Sequence, residues 1–251
     1  MEIGVHHGRL FILLALLTRD DEYALAVDLF DMQDRNVDRS GAGDIAVFRA
    51  NLARYAPAAQ VQILQGDSVE LASSIIDDHR GMRYISVDGG HLRSTTASDL
   101  RVAEALAVKG AIVSLDDIYR VDWSGVTAGL ALYFKSGGRL VPFCLSPNKV
   151  HLTTSPEWAR TYASRLRSMF NTNRSIEFFD FDDVLSIDEE DRWTCDNLSG
   201  IGAPRHQSVE AAELANAAPG ELEEMSAIPP RDDGSAYRRC APLASANSSG
   251  A

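Results

Sequence analysis

The stretch RYISVDGGH at residues 83–91, followed by AIVSLDD at residues 111–117, decides how this chain folds. Residues 83–87 read as a strand, Asp88-Gly89-Gly90-His91 as a polar turn, 96–108 as a helix, and 111–115 as a second strand ending in the pair Asp116-Asp117. Two parallel strands joined by one crossover helix lie side by side, with their carboxyl ends at the same edge of the sheet. Asp88, His91, Asp116 and Asp117 are therefore expected in one crevice. Like charges at about 4 Å repel by roughly 4 kcal/mol at an effective dielectric of about 20. Three carboxylates that close need either a proton or a cation among them.

The same rhythm extends on both sides. Residues 1–5 read as the end of a strand, followed by a turn through Gly8 and a helix. Strands are expected at 23–29 and 61–65, with helices at 44–55 and 68–79, and Gly110 as a left-handed cap after the helix at 96–108. This alternation predicts an α/β fold with a doubly wound, mostly parallel sheet. Beyond Asp117 come a helix at 126–135 and two strands, 140–146 and 149–154, joined by Pro147-Asn148; such a hairpin is antiparallel and is expected to cap one edge. Ser155-Pro156-Glu157 starts a further helix, along which Trp158, Tyr162, Leu166 and Phe170 form a packing stripe. The acid-rich residues 177–191 read as an edge strand with a solvated face. From about 197 the chain is rich in Ala, Ser, Gly, Pro and Glu, which predicts a disordered tail over 197–251.

A net charge of −12 over 251 residues lacks the basic face that nucleic acid or an anionic membrane requires. The partner expected is a small molecule, and a homo-oligomer remains open. Three scattered cysteines (Cys144, Cys195, Cys240) form neither a disulfide framework nor a zinc pattern and fit a reducing, cytoplasmic setting. The apolar run at 10–17 is too short to span a bilayer, and the acids at Glu2 and 20–22 spoil a signal-peptide reading.

The turn after the first strand, Glu2-Ile3-Gly4-Val5-His6-His7-Gly8, places two glycines where a ligand can approach the backbone at a helix N-terminus. Asp28 ends the second strand and suits ribose hydroxyls; Asp67-Ser68 end the third and suit an adenine edge. Three strand ends thus offer a nucleoside site. The spacing Gly-x-x-x-Gly is not the Gly-x-Gly-x-x-Gly of pyrophosphate-binding dinucleotide folds.

At these motifs, with Asp28-Leu29-Phe30-Asp31, Ser86 to His91 and Leu115-Asp116-Asp117, residues 1–154 resemble a class I S-adenosylmethionine-dependent methyltransferase. The nearer resemblance is to the metal-dependent branch that includes the macrocin-type sugar O-methyltransferases. It implies a Rossmann-like, seven-stranded sheet whose antiparallel seventh strand lies between strands five and six. It implies a cofactor site of Glu2, Gly4, Gly8, Asp28, Asp67, Ser68 and Asp88, with the glycines at the methionine part. It also implies a divalent ion on Asp88, Asp116 and Asp117, and His91 as the base, so that Asp88 serves both cofactor and chemistry. The family has a helical region ahead of the first strand, so the expectation is a core whose N-terminal part lies outside this sequence. Residues 155–196 then form a C-terminal helix and acidic extension.

Chemistry agrees with that assignment. A phenol-like hydroxyl near pKa 10 and a histidine near 6.5 differ by about 3.5 units, roughly 5 kcal/mol uphill for proton transfer. Mg²⁺ on oxygen ligands can close much of that gap by acidifying the hydroxyl. His6 and His7 are expected to shape the cofactor loop, Trp123 and Tyr119 to stand at an acceptor pocket or in packing, and residues 32–43 to cover the site. The function expected is metal-assisted O-methylation of a sugar-like or other small-molecule hydroxyl. A nicotinamide-dependent oxidoreductase and a non-catalytic nucleoside-binding module are the alternatives.

Overall fold

A computed structural model describes residues 1–170 and 172–188. The expected tail at 197–251, the acids at 189–191, Cys195 and Cys240 lie outside the described residues. The chain alternates β1 (Glu2–Ile3), α1 (Arg9–Leu16), β2 (Ala24–Asp28), α2 (Ile45–Tyr55), β3 (Val61–Gln65), α3 (Ser68–Asp78), β4 (Met82–Val87), α4 (Arg93–Leu106) and β5 (Ala107–Leu115). It continues through α5 (Ser124–Lys135), β6 (Val141–Ser146), β7 (Lys149–Thr153), α6 (Pro156–Phe170), β8 (Ser175–Phe178) and β9 (Phe181–Ser186). One sheet joins the strands in the order β3-β2-β1-β4-β5-β7-β6-β9-β8.

The first seven strands have the Rossmann-like methyltransferase arrangement: β1 to β5 are parallel, and β7 runs antiparallel between β5 and β6. Two expectations need correction. The sheet has nine strands, and the β6–β7 hairpin lies inside it, because β9 adds to β6 in parallel and β8 forms the edge. The acid-rich stretch holds these two extra strands; Val184 and Leu185 are buried while Asp182 and Asp183 face out. Gly110 does not cap α4 either. The helix ends at Leu106 and β5 begins at once; Gly110, at φ +80°, lies inside the strand, where a β-carbon would sit 2.7 Å from the Trp158 ring.

Alternate residues of β2 enter opposite layers, as expected for a strand buried on both faces. Leu25 and Val27 join Ile85, Leu100, Val113 and Leu130 in the main core. Ala24 and Ala26 face Phe11, Phe30 and Phe48 beneath α1 and α2. A third cluster packs α6 on β6 and β9 through Phe143, Cys144, Ala159, Ala163 and Leu185. Helix starts follow from local chemistry: Asp44 caps α2 by accepting from the N–H groups of Ala46 and Val47, and Asp67 caps α3 by accepting from Val69.

Helix α5 presses closely on α4 and the turn before it at two glycines. A β-carbon at Gly125 would lie 2.1 Å from the His91 carbonyl oxygen, and one at Gly129 would lie 2.5 Å from the Thr96 β-carbon and 2.9 Å from the Arg93 carbonyl oxygen. Backbone cannot yield as a flexible side chain does. Gly129→Ala is expected to cost about 1–3 kcal/mol through overpacking, read as a lowered urea midpoint; an unchanged midpoint would contradict this contact.

Asp99 is the anomaly of the core. It is 0% exposed on the inner face of α4, and neither carboxyl oxygen has a hydrogen-bond partner of good geometry among the described residues, although the Ser68 hydroxyl lies alongside. Burial pushes its pKa up to about 7, and the charge of Asp67 adds to the effect. A folded-state pKa above the unfolded value means that the native state binds the extra proton between about pH 4 and pH 7. Its contribution to stability therefore falls as pH rises through that window. Asp99→Asn removes the dependence, so urea titrations are expected to show the variant gaining on the parent between pH 5 and pH 8. A pH-independent difference would refute the assignment.

Candidate active site

The site lies where the chain's connections diverge. From β1 the chain passes toward β2, and from β4 toward β5, so a crevice opens between the carboxyl ends of β1 and β4. Gly4 lets the two strands close up there. Its amide donates to Val27 O at 2.9 Å, the Asp88 amide donates to Ile3 O at 2.8 Å, and a β-carbon on Gly4 would fall 1.8 Å from the Asp88 carbonyl oxygen. Gly8, in the left-handed region, starts α1 against the Phe48 ring.

Asp28, expected to read ribose, anchors two turns. Oδ2 accepts from the His6 amide at 2.7 Å and Oδ1 from the Phe30 amide at 2.5 Å. The glycine turn and the loop after β2 are thereby tied to one carboxylate. Asp67 is the helix cap described above, and Ser68 is buried beside it. Glu2 is buried with Oε2 unpartnered among the described residues; burial, reinforced by the charge of Asp88, raises its pKa well above the usual carboxylate range.

Beyond Asp88 the acids converge. The Asp116 amide donates to Val87 O at 3.0 Å, which places the ends of β4 and β5 level. Asp88, His91 and Asp117 each offer one ligand atom, all within 4.8 Å of one another. His91 Nε2 lies 2.9 Å from Asp117 Oδ2, and the ring stacks on Trp123 with centroids 4.3 Å apart. Asp117 Oδ1 accepts from Asn148 Nδ2 at 2.7 Å. Asp116 stands beside this group but is engaged elsewhere. Its Oδ1 accepts from Asn148 Nδ2 at 3.0 Å and its Oδ2 pairs with the Lys149 ammonium.

Sequence reasoning missed Asn148 and Lys149 as site residues. The signal was the predicted antiparallel β7: next to β5, it must begin where β5 ends. It also missed Asp38, half-way along the loop after β2. Asp38 Oδ2 accepts from the His91 amide at 2.5 Å and lies 3.1 Å from His91 Nδ1, while Oδ1 accepts from the Ser40 amide and hydroxyl. No spacing marks that contact, which depends on how residues 29–43 fold back over the crevice.

The electrostatics are uneven. Burial, and then repulsion from Asp116 and Asp117, pushes Asp88 up to about 7, with Lys149 opposing. Burial alone would also lift Asp117, but its bonds to His91 and Asn148 hold it below the ordinary value. Burial alone would lower His91; its hydrogen bond to Asp117 and the charge of Asp38 outweigh that and raise it. The crevice thus carries one proton-hungry carboxylate beside one firmly ionised carboxylate and an imidazole. Farther along the edge, Tyr119, Ser146, Pro147, Arg174 and Ile187 line a cavity of about 410 Å³. Among the described residues, no helix is long and apolar enough to cross a membrane.

Residues 1–118 match a family model described as a methyltransferase domain. No curated protein matches the chain. Similar solved structures include apo CalS11, a TDP-rhamnose 3'-O-methyltransferase of calicheamicin biosynthesis, at 19% identity and TM-score 0.48 over 61% of this chain and 70% of that one. The O-methyltransferase TomG from Streptomyces achromogenes shares 15% identity at TM-score 0.45 over 61% of this chain and 72% of its own. An O-methyltransferase from Bacillus cereus, bound to SAH, shares 14% identity at TM-score 0.44 over the same shares, 61% and 72%. Residues 1–118, a little under half of the chain, are thus similar to a methyltransferase domain.

Proposed function

We propose that this protein transfers the methyl group of S-adenosylmethionine to a hydroxyl oxygen of a small, sugar-like or otherwise polyhydroxylated acceptor, with a divalent cation assisting. The observation that carries the reading is the meeting of Asp88, His91 and Asp117 at the end of the crevice that also holds Gly4, Gly8 and Asp28. A nucleoside cradle and a deprotonating site adjoin within one methyltransferase domain.

The residues fit both groups. Toward the cofactor, the open glycine turn and the Asp28 carboxylate face the β1–β4 crevice; Glu2, Asp67 and Ser68 complete the cradle in this reading. Toward a cation, the carboxylate oxygens of Asp88 and Asp117 are hard donors suited to Mg²⁺. The elevated Asp88 and the unpartnered Glu2 oxygen mark a crevice short of positive charge. Asp88 and Asp117 would hold the ion, with Asp116 kept behind them by Lys149 and Asn148. When bound, the ion acidifies the acceptor hydroxyl and fixes its orientation.

The remaining work falls to the chain's own groups. Methyl transfer from a sulfonium is an in-line displacement, so alignment contributes much of the rate. His91 Nε2 faces the acidic crevice and receives the hydroxyl proton, while Trp123 holds the ring flat. The cavity beside Tyr119, at the ends of β6 and β9, gives the acceptor room.

Calorimetric titration is expected to show S-adenosylmethionine binding and no binding of a nicotinamide dinucleotide; folded protein giving no heat with the former overturns the reading. The cation is tested without an acceptor. Mg²⁺ is expected to raise the thermal midpoint by mass action, and Asp88→Asn or Asp117→Asn to abolish the rise, with Asp116→Asn retaining part of it. With methyl-labelled cofactor and a panel of catechols and free sugars, EDTA is expected to stop transfer and Mg²⁺ to restore it. Transfer that survives EDTA removes the cation from the mechanism.

A further inference from the structure

The contact that this reading leaves unexplained is Asp38 with His91. One carboxylate oxygen, Asp38 Oδ2, meets both the main-chain amide and ring Nδ1 of the same histidine, at 2.5 and 3.1 Å. The partners are well enclosed: both side chains are 9% exposed. The opposite ring nitrogen, Nε2, faces Asp117 in the crevice. Two carboxylates therefore compete for the single proton of a neutral imidazole. Which one wins decides whether a lone pair points at the reacting hydroxyl or away from it.

We infer that Asp38 is a positioning residue: it holds the His91 proton on Nδ1 and so presents the Nε2 lone pair to the crevice. The hydrogen bond at one ring nitrogen sets the tautomer at the other. Asp38 is anchored twice, by the His91 amide on Oδ2 and by Ser40 on Oδ1. Asp117, nearer to the ring at 2.9 Å, is the carboxylate that the proposed cation engages, which takes it out of the competition. The loop that delivers Asp38 begins at Asp28, whose Oδ1 accepts from Phe30, and Gly41 packs against the His6 ring. Base orientation and the nucleoside end of the crevice thus share one short segment.

The inference rests on His91 being the base, and its test separates the two ideas. Protein labelled with ¹⁵N-histidine is studied by long-range ¹⁵N–¹H correlation over a pH series, the tautomer being read on the high-pH plateau of the ring signal; His91→Gln assigns the signal among the six histidines. The parent is expected to show a protonated, pyrrole-type Nδ1 and a pyridine-type Nε2. Asp38→Ala is expected to reverse the pattern, since Asp117 then takes the proton, and to lower kcat about 10- to 100-fold with cofactor affinity within about threefold. Asp38→Asn, which keeps the size of the side chain, serves if the Ala variant fails to fold. A parent ring protonated on Nε2, or a tautomer unchanged in both variants, overturns the role of Asp38. A reversed tautomer, with full turnover retained by His91→Gln, upholds Asp38 and sinks the base assignment instead.

Discussion

Everything at this site follows from the parallel register of β4 and β5. Ser86 lies opposite Ser114 and Val87 opposite Leu115, so the residues that follow emerge at one edge within a few ångströms. Three of them are aspartates. Such repulsion is too large for a marginally stable fold to leave uncompensated, and the structure compensates each acid differently. Asp116 takes Lys149, Asp117 takes His91 and Asn148, and Asp88 is left to hold a proton near neutrality. Lys149 is available because β7 runs antiparallel beside β5 and starts where β5 stops. The antiparallel strand is therefore as much an electrostatic element as a topological one.

Two histidines show how environment sets their function. His151 sits mid-sheet, directly opposite Ser114, in a row that continues through Ser86 to Glu2. Among the described residues its nitrogens meet the hydroxyls of Ser114 and Ser146, at 2.8 and 3.1 Å, and burial pulls its pKa down to about 4. It stays neutral and serves as a hydrogen-bonding link between β5 and β6. His91 is also buried, yet carboxylates on both sides reverse the balance and raise its pKa. Burial keeps the ring neutral in one place, and neighbouring carboxylates favour its charged form in the other.

What could be read from the sequence was whatever depends on neighbours along the chain. The strand Val61–Gln65 was legible from its apolar run, and the cap of α6 from Ser155-Pro156. The meeting of Asp88, His91 and Asp117 was legible because one crossover carries all three. Lys149 and Asn148 were hidden in a turn whose neighbours depend on the insertion of β7 between β5 and β6. Asp38 was hidden further, since its partner is 53 residues away. Residues 177–191 read as one edge strand where β8 and β9 lie, because the turn between them, with Phe179 and Asp180 at positive φ, carries no glycine or proline to mark it. Gly110 misled because a left-handed glycine near a helix end usually caps it, whereas here the Trp158 ring occupies the space.

The loop after β2 draws these strands of argument together. It leaves Asp28, whose two oxygens are bonded to His6 on one side and Phe30 on the other, and it arrives at Asp38 against His91. Arg35 adds an exposed ion pair to Glu70 on α3, a contact worth little by itself. The loop is held at the Asp28 and Asp38 carboxylates and along its length, where Gln33 donates to Phe30 O, Asn36 to Gly41 O and the Ile45 amide to Asp31. A ligand that competes for Asp28 loosens one hold, and anything that moves the His91 ring loosens the other. The segment from Asp28 to Asp38 therefore touches both the glycine turn after β1 and the His91 end of the crevice.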